Sequence, residues 1–374
     1  MSDVMRVLMT VPCYCSKGGS ETVVHNFSLM LNRRHIHTDV MTFNMDKRWN
    51  PRWHGEVLRT DGFSVFKIPA LNWLPMGHSN RVTLGINVVP GRFTNILKNY
   101  DIIHFHELEF SFPLFSSLQR KKKIIHLHAM DASFLERYDL SRVMLRRIPD
   151  LIITVSNKMK KDLVTLGIPA SMVVNLPNSV DTSFFEPTGQ KENNLLLFVG
   201  RITPEKGLNV LLDSLKYLKE PVHLVVIGPA WNSDYYQKVL KRIEEENRTG
   251  QHEITYLGPL EQADMVSWYQ KASLFILPSS REAFPVTILE ALSCATPVIA
   301  TPVGGIPEII ENFRNGILVP INNPERLGEA IQYLLKNEKN RTELGLVGRR
   351  LVVEKFSIEK TVSKLQRIYE QLLS

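Results

Sequence analysis

Short apolar runs alternate with amphipathic stretches along the whole chain. Residues 4–10 form an apolar run suited to a strand buried on both faces of a parallel sheet. A glycine turn at Gly18-Gly19 follows, and residues 21–32 carry Val24, Phe27 and Leu31 at helical spacing. Further strands are predicted at residues 38–43, 65–68, 102–106, 124–128 and 151–155, with helices between several of them, such as 158–166. Strand, loop and helix in repeated alternation imply a doubly wound α/β sheet.

The second half restarts the pattern. Residues 195–199 are a continuous apolar strand, followed by a turn and a helix over 208–218. Strands at 223–227, 254–257, 274–277 and 297–300 come next, and residues 358–373 read as an amphipathic last helix. Between the halves, residues 181–194 are polar, hold Pro187 and Gly189 and lack periodicity, which marks an interdomain linker. The chain is therefore read as two α/β domains of similar size. Ligands of open α/β sheets bind beyond the carboxyl ends of the strands, and two such sheets facing each other would hold one in the cleft.

A length of 374 residues agrees with two domains, and 44% hydrophobic with 22% charged residues is ordinary for a globular protein. No apolar run approaches the roughly 20 residues that a membrane span needs. The amino terminus reads as a first strand and not as a signal peptide. Three cysteines, Cys13, Cys15 and Cys294, are too few and odd for a disulfide framework, so a reducing, cytoplasmic setting is expected. Cys13 and Cys15 are read as small buried hydrophobes, with no partner pair at zinc spacing. The formal charge is +7, and the surplus is one-sided: residues 1–190 hold 23 basic and 16 acidic side chains, the remainder 22 of each. An anionic ligand, partner or membrane surface for the first half is one reading, a solvated basic face the other.

The sharpest chemical signal runs from Ser280 to Leu292, with Glu282 in a loop and Glu290 eight residues on, along a helix that starts near Pro285. Proline suits a first helical turn, and the helix start offers N–H groups to phosphate or sugar oxygens. Glu290 would reach back beside the helix to a ribose diol. A second signal is Gly200-Arg201 with Glu205-Lys206-Gly207 after the strand at 195–199. Two cations there suit a diphosphate leaving group where no metal is present, although a surface turn with solvated charges has the same sequence. Gly18-Gly19, with Glu21, forms a third, since glycines admit a ligand close to the backbone. No Gly-x-Gly-x-x-Gly dinucleotide fingerprint occurs, which disfavours a dehydrogenase.

Histidines gather at two strand ends: His104 and His106, then His126 and His128. Spacing of two puts each pair on one face. A metal pair, core histidines bonded to backbone, and polar groups aimed at a sugar are all open. The last is preferred, with His106 and His128 nearest the edge. The chain holds no Asp-x-Asp triplet, a common way to hold Mn²⁺ or Mg²⁺ under a diphosphate.

Together these motifs resemble glycosyltransferase family 4, the group 1 transferases of GT-B fold. The likeness covers nearly the whole chain and is strongest over residues 195–318, where Glu282-x7-Glu290 is followed by residues 297–300 and by Gly304-Gly305 with Glu308. It implies a retaining glycosyltransferase that moves a hexosyl-type sugar from a nucleotide diphosphate sugar, with no cofactor and no metal. It divides the chain into an acceptor-binding Rossmann-like domain (1–187), a nucleotide-sugar-binding one (188–355) and a terminal helix (356–374) crossing back onto the first. The implied catalytic residues are Arg201, Lys206, Glu282 and His128. Arg201 and Lys206 would stabilise the departing diphosphate. Glu282 and the backbone of Ala283, Phe284, Pro285 and Val286 would meet the sugar, and Glu290 the ribose. Gly18 and Gly19 would border the reaction centre, with Glu21 and His106 on the acceptor side.

Two positions depart from the family pattern. Pro285 stands where glycine can occur, which removes one backbone donor, and residues 294–297 lack the glycine expected at a helix end. Asp131 receives no role. The expected acceptor is a glycan, a lipid-linked glycan or a small molecule, in cell-surface polysaccharide or glycolipid biosynthesis. The basic residues 120–123 and 142–147, with Trp73, Leu74, Phe110, Phe112 and Phe115, would dock the first domain on the inner face of an anionic membrane. No nucleic-acid reader motif appears. The alternatives are a sugar-nucleotide epimerase of the same fold and a non-catalytic sugar-nucleotide-binding subunit.

Overall fold

The computed structural model describes residues 4–11, 19–44, 56–60, 62–69, 95–107, 120–128, 139–189, 191–230 and 233–374. Gly18, Cys13, Cys15, Trp73, Leu74, Phe110, Phe112, Phe115 and Asp131 lie outside these residues. Two compact units result, one of residues 1–177 with 358–374, the other of residues 178–357. The change therefore falls between Pro177 and Asn178, where the sequence placed it between 187 and 188. Val180 and Phe185 are buried in the second unit, which takes this stretch out of the linker. Its Asp181–Phe185 turn is tied down by Arg349, whose guanidinium donates to the carbonyls of Thr182 and Phe185.

In the first unit the strands are β1 (Arg6–Val11), β2 (His37–Asn44), β3 (Glu56–Thr60), β4 (Phe63–Pro69), β5 (Ile102–His106), β6 (Lys122–Leu127), β7 (Leu151–Thr154) and β8 (Val173–Asn175). They form one sheet in the order β3-β4-β2-β1-β5-β6-β7-β8, parallel except for the β3–β4 pair. Its helices include α1 (Gly19–Arg33), α2 (Asp139–Arg147) and α3 (Asn157–Thr165). The inner strands are buried along their lengths, because crossover helices cover both faces of a parallel sheet. The chain-terminal helix, Ile358–Leu373, belongs to this unit and buries Val362, Leu365 and Tyr369.

The second unit holds β9 (Leu195–Val199), β10 (His223–Ile227), β11 (Glu253–Gly258), β12 (Leu274–Leu277), β13 (Val298–Ala300) and β14 (Ile317–Leu318). Their order is β11-β10-β9-β12-β13-β14, with parallel pairs throughout. Its helices are α4 (Leu208–Ser214), α5 (Ser233–Thr249), α6 (Gln262–Lys271), α7 (Val286–Ser293), α8 (Ile306–Ile309), α9 (Pro324–Lys336) and α10 (Glu338–Lys355). Among the described residues no helix is long and apolar enough to cross a membrane.

Helix α7 deserves a closer look, because its start faces the strand ends and its body is almost wholly buried. Pro285 is its N-cap in extended conformation, one position before the first turn in which the sequence placed it. At the far end Thr296 N–H donates to Ala291 O and Ala295 N–H to Leu292 O, the paired bonds of a Schellman motif. Ala295 holds the left-handed position of that motif at φ 53°, where glycine is usual. Inside the helix, Glu290 is 5% exposed and accepts a 2.7 Å hydrogen bond from Tyr269 Oη. Burial pushes its carboxyl up to about 7, against a smaller opposing effect of the Tyr269 bond.

Ala295→Gly is expected to stabilise the second unit by about 0.5–1 kcal/mol, since it relieves a left-handed alanine; urea denaturation reads it as a raised midpoint. Glu290 gives a pH signature. A carboxyl whose folded value lies above its unfolded one takes up a proton on folding between the two. Its contribution is most favourable below about pH 4.5 and declines as pH rises to about 7. Glu290→Gln should flatten that slope and gain on the order of 3 kcal/mol over the parent above pH 7. Parallel denaturation profiles for parent and variant from pH 5 to 8 would show that the assignment is wrong.

Candidate functional site

The second unit concentrates polar side chains at the carboxyl ends of β9, β12 and β13. Beyond β9 the chain passes through Gly200 and the half-buried Arg201 into a 3₁₀ turn, Pro204–Lys206. Gly207 closes that turn at φ 72° and lies so close to the carbonyl of Pro278 that any Cβ would overlap it. The turn is thereby pressed onto the end of β12. Ser280 N–H fastens it further by donating to Glu205 O at 2.9 Å.

Lys206 and Glu282 meet here. Lys206 Nζ is 2.5 Å from Glu282 Oε1, and the two side chains are 15% and 7% exposed. Ser279 Oγ donates to the same oxygen at 2.8 Å. A carboxylate this buried needs such partners to offset its lost hydration. The residues after β13 hold its backbone: Gly304, at φ 55°, packs on the carbonyl of Glu282 where a side chain has no room, and Gly305 N–H donates to Ala283 O at 2.8 Å. Thr301 Oγ1 donates to the carbonyl of Ser279. Asn178 Nδ2 takes up the carbonyl of Phe284 at 2.8 Å. Among the described residues the N–H groups of Ala283 and Phe284 donate to no backbone carbonyl. Val286 opens α7, and Pro285 has no N–H to offer.

The sequence put Lys206 and Glu282 in one region but did not foresee that they pair with each other. It gave Thr301, which stands in the motif ending at Glu308, no role, and it did not single out Ser279 or Asn178. Only Ser279, three residues ahead of Glu282, gave a signal. Glu290 has a protein partner that the sequence did not foresee: Tyr269 Oη donates to its buried carboxyl at 2.7 Å.

In the first unit Gly19 is the first residue of α1, and Glu21 stands in its first turn, where Ser20 Oγ donates to its Oε2 at 3.2 Å. The four histidines share one face of β5 and β6 and are buried: His104 0%, His106 1%, His126 1% and His128 8% exposed. His106 Nδ1 lies 2.8 Å from His128 Nε2. Burial pushes His106 and His126 well below the usual imidazole range, so both are neutral. His106 is thus a core residue and not one aimed at an acceptor, because its neighbours and Phe27 of α1 close over it. His128 keeps the largest exposure of the four.

Comparison with known proteins accounts for both units. Residues 17–184 match the model described as Glycosyltransferase Family 4, and residues 179–350 match Glycosyl transferases group 1. The chain is 29% identical to an uncharacterized glycosyltransferase of Methanocaldococcus jannaschii, over 99% of each chain. Among solved structures it resembles sucrose-phosphate synthase from Thermosynechococcus elongatus, with TM-score 0.82, 19% identity and coverage of 98% and 99%. Anabaena HepE, solved in complex with UDP and glucose, gives TM-score 0.78 at 17% identity, covering 98% of this chain and all of that one. Two units with parallel sheets and strand-end polar sites, matched in sequence by both family models, make this chain a GT-B glycosyltransferase of the group 1 and family 4 class.

Proposed function

We propose that this glycosyltransferase moves a hexosyl-type sugar from a nucleotide diphosphate sugar to a glycan, lipid-linked or small-molecule acceptor with retention of configuration and without a divalent metal. The observation that carries the reading is the Lys206–Glu282 pair at the strand ends, next to the N–H groups of Ala283 and Phe284, which donate to no backbone carbonyl among the described residues. The binding of UDP and glucose by Anabaena HepE supports a nucleotide-sugar donor.

In this reading the C1–oxygen bond to the diphosphate breaks while the acceptor hydroxyl attacks C1 from the same face, and its proton passes to a leaving phosphate oxygen. No protein base is needed. The charge that grows on the phosphate is met by Lys206 and Arg201, which take the place of a metal ion. Glu282 then orients a sugar hydroxyl as an acceptor, and the N–H groups after it act as donors. Glu290 holds the ribose through the small exposed part of its side chain. The first unit binds the acceptor, with His128 as its contact to the sugar. Its surplus of basic side chains serves peripheral contact with an anionic membrane, at the inner face for a cytoplasmic enzyme.

Transfer followed by proton NMR, with a panel of UDP, GDP and ADP sugars, tests the reaction. The product should keep the donor's anomeric configuration. Lys206→Ala and Arg201→Ala should each slow transfer by at least about 100-fold, the scale of losing one charge-stabilising donor. Added Mg²⁺ or Mn²⁺ should not raise the rate of EDTA-dialysed enzyme. An inverted product, or near-parental rates in both variants, would overturn the mechanism. Conversion of the donor to its epimer with no acceptor present would replace transfer by epimerisation. Membrane contact is tested separately by flotation with liposomes containing anionic lipid. Cofloating protein is expected at low salt and release at high salt, and protein left wholly in solution at low salt would remove the docking idea.

A further inference from the structure

The histidine group of the first unit has a geometry that sugar contact does not explain. His106 lies opposite His126 in the parallel β5–β6 register, and the two-residue spacing adds His104 and His128 to the same face. Ring centroids are 4.4 Å apart for His104 and His106, 5.4 Å for His104 and His126, and 5.1 Å for His106 and His126. Phe27 covers His106 and His126 from α1.

The ring nitrogens divide into two kinds. His104 Nδ1 lies 2.6 Å from Tyr369 Oη, and His106 Nδ1 lies 2.8 Å from His128 Nε2. By contrast, His104 Nε2, His106 Nε2 and both nitrogens of His126 are buried without a hydrogen-bond partner among the described residues. One ring nitrogen from each of His104, His106 and His126 lies within 4.8 Å of the other two. Each orphaned polar atom in a dry core costs about 1–3 kcal/mol, so three neighbours together call for a common partner.

We propose that His104, His106 and His126 ligate a divalent transition-metal ion, with zinc the best match to an all-imidazole set. A metal-bound imidazole usually donates its other N–H to a fixed neighbour that orients the ring. Tyr369 Oη and His128 Nε2 stand in those places, which leaves the Nε2 lone pairs of His104 and His106 to the ion. Zinc–nitrogen bonds of 2.0–2.1 Å set the ligand atoms about 3.3 Å apart, so the rings draw together slightly on binding. The ion joins β5 to β6 and, through Tyr369, holds the terminal helix on the sheet. It is a structural ion of the first unit. Lys206 and Glu282 belong to the second unit, and the metal-free transfer step proposed for them does not involve it.

The test uses the full chain without a histidine tag, produced in zinc-supplemented medium and desalted. Plasma mass spectrometry should find zinc near one equivalent per chain. Protein stripped with a strong chelator should bind added Co²⁺ with visible d–d absorption that Zn²⁺ bleaches. His126→Leu should lose the stoichiometric ion. Tyr369→Phe, which keeps the core filled, should weaken zinc binding by about 10–100-fold, as expected for loss of a ligand-orienting partner. If His126→Leu does not fold, the Tyr369→Phe affinity decides. The proposal fails if the parent neither retains zinc nor binds Co²⁺ or Zn²⁺ on titration. It also fails if the Tyr369→Phe affinity equals the parent's, or if a folded His126→Leu chain binds as the parent does.

Discussion

A carboxylate buried at the end of a parallel sheet needs a counter-charge, and most of the second unit's loop structure follows from how Glu282 obtains one. Lys206 reaches it from the turn after β9, and Ser279 from the end of β12. The segment after β13 then closes on the backbone through Gly304 and Gly305. Three strand ends are thereby tied to a single pair. A partner removed from such a pair leaves the other charge buried and alone, which costs more than the pair contributes. Lys206 and Glu282 are therefore structural elements as well as chemical ones. In the proposed reaction a bound diphosphate would compete with Glu282 for the Lys206 ammonium, and donor binding would then be coupled to the conformation of the loops.

The first unit answers the same burial problem without charge. Its imidazoles at His104, His106 and His126 are pushed to the neutral state by desolvation and by their neighbours, with His104 lowered to about 3. Neutral rings can stack at 4.4 Å, as His104 and His106 do, where protonated ones would repel. Neutrality removes repulsion but does not supply hydrogen-bond partners. The second unit's carboxylate found charged and hydroxyl partners within the chain, while His104 found Tyr369 and His106 found His128.

The fold was readable because strands covered on both faces are continuous apolar runs: Ile102–His106, Leu195–Val199, His223–Ile227 and Leu274–Leu277 fall at the residues predicted. Elements escaped where that signal is weak. β14 is two residues long, and β3 pairs antiparallel at the edge of its sheet with Val57 and Leu58 exposed. Helix α10 hides its packing face because the contact is made by small residues: Gly345 lies on the carbonyl of Ala295, where a Cβ would collide. Ala295 itself was visible only as a missing glycine, and its left-handed backbone shows that the motif formed without one. Site residues were legible as types and spacings, but their pairing was not. Nothing in the spacing of Lys206, Glu282, Tyr269 and Glu290 says that the first two bond each other and the last two do likewise. That depends on strand order, which brings β9 beside β12 across about 75 residues of chain, a crossover that a doubly wound sheet permits and local pattern does not specify.

Strand direction also separates two ideas that the sequence joined. Lys122 opens β6, Arg120 and Lys121 precede it, and Arg146 and Arg147 end α2 just ahead of β7. These cations stand at the amino-terminal edge of the first sheet. His106 ends β5 and His128 follows β6, so the histidines mark the opposite, carboxyl edge. Ligands of such sheets gather at the carboxyl edge. An anionic surface held by the basic edge would leave the ligand edge turned away from it. Charge at residues 120–123 and 146–147 therefore argues for a location of the enzyme, not for the chemistry of its acceptor, and a lipid-linked acceptor would need contacts from a different part of the first unit.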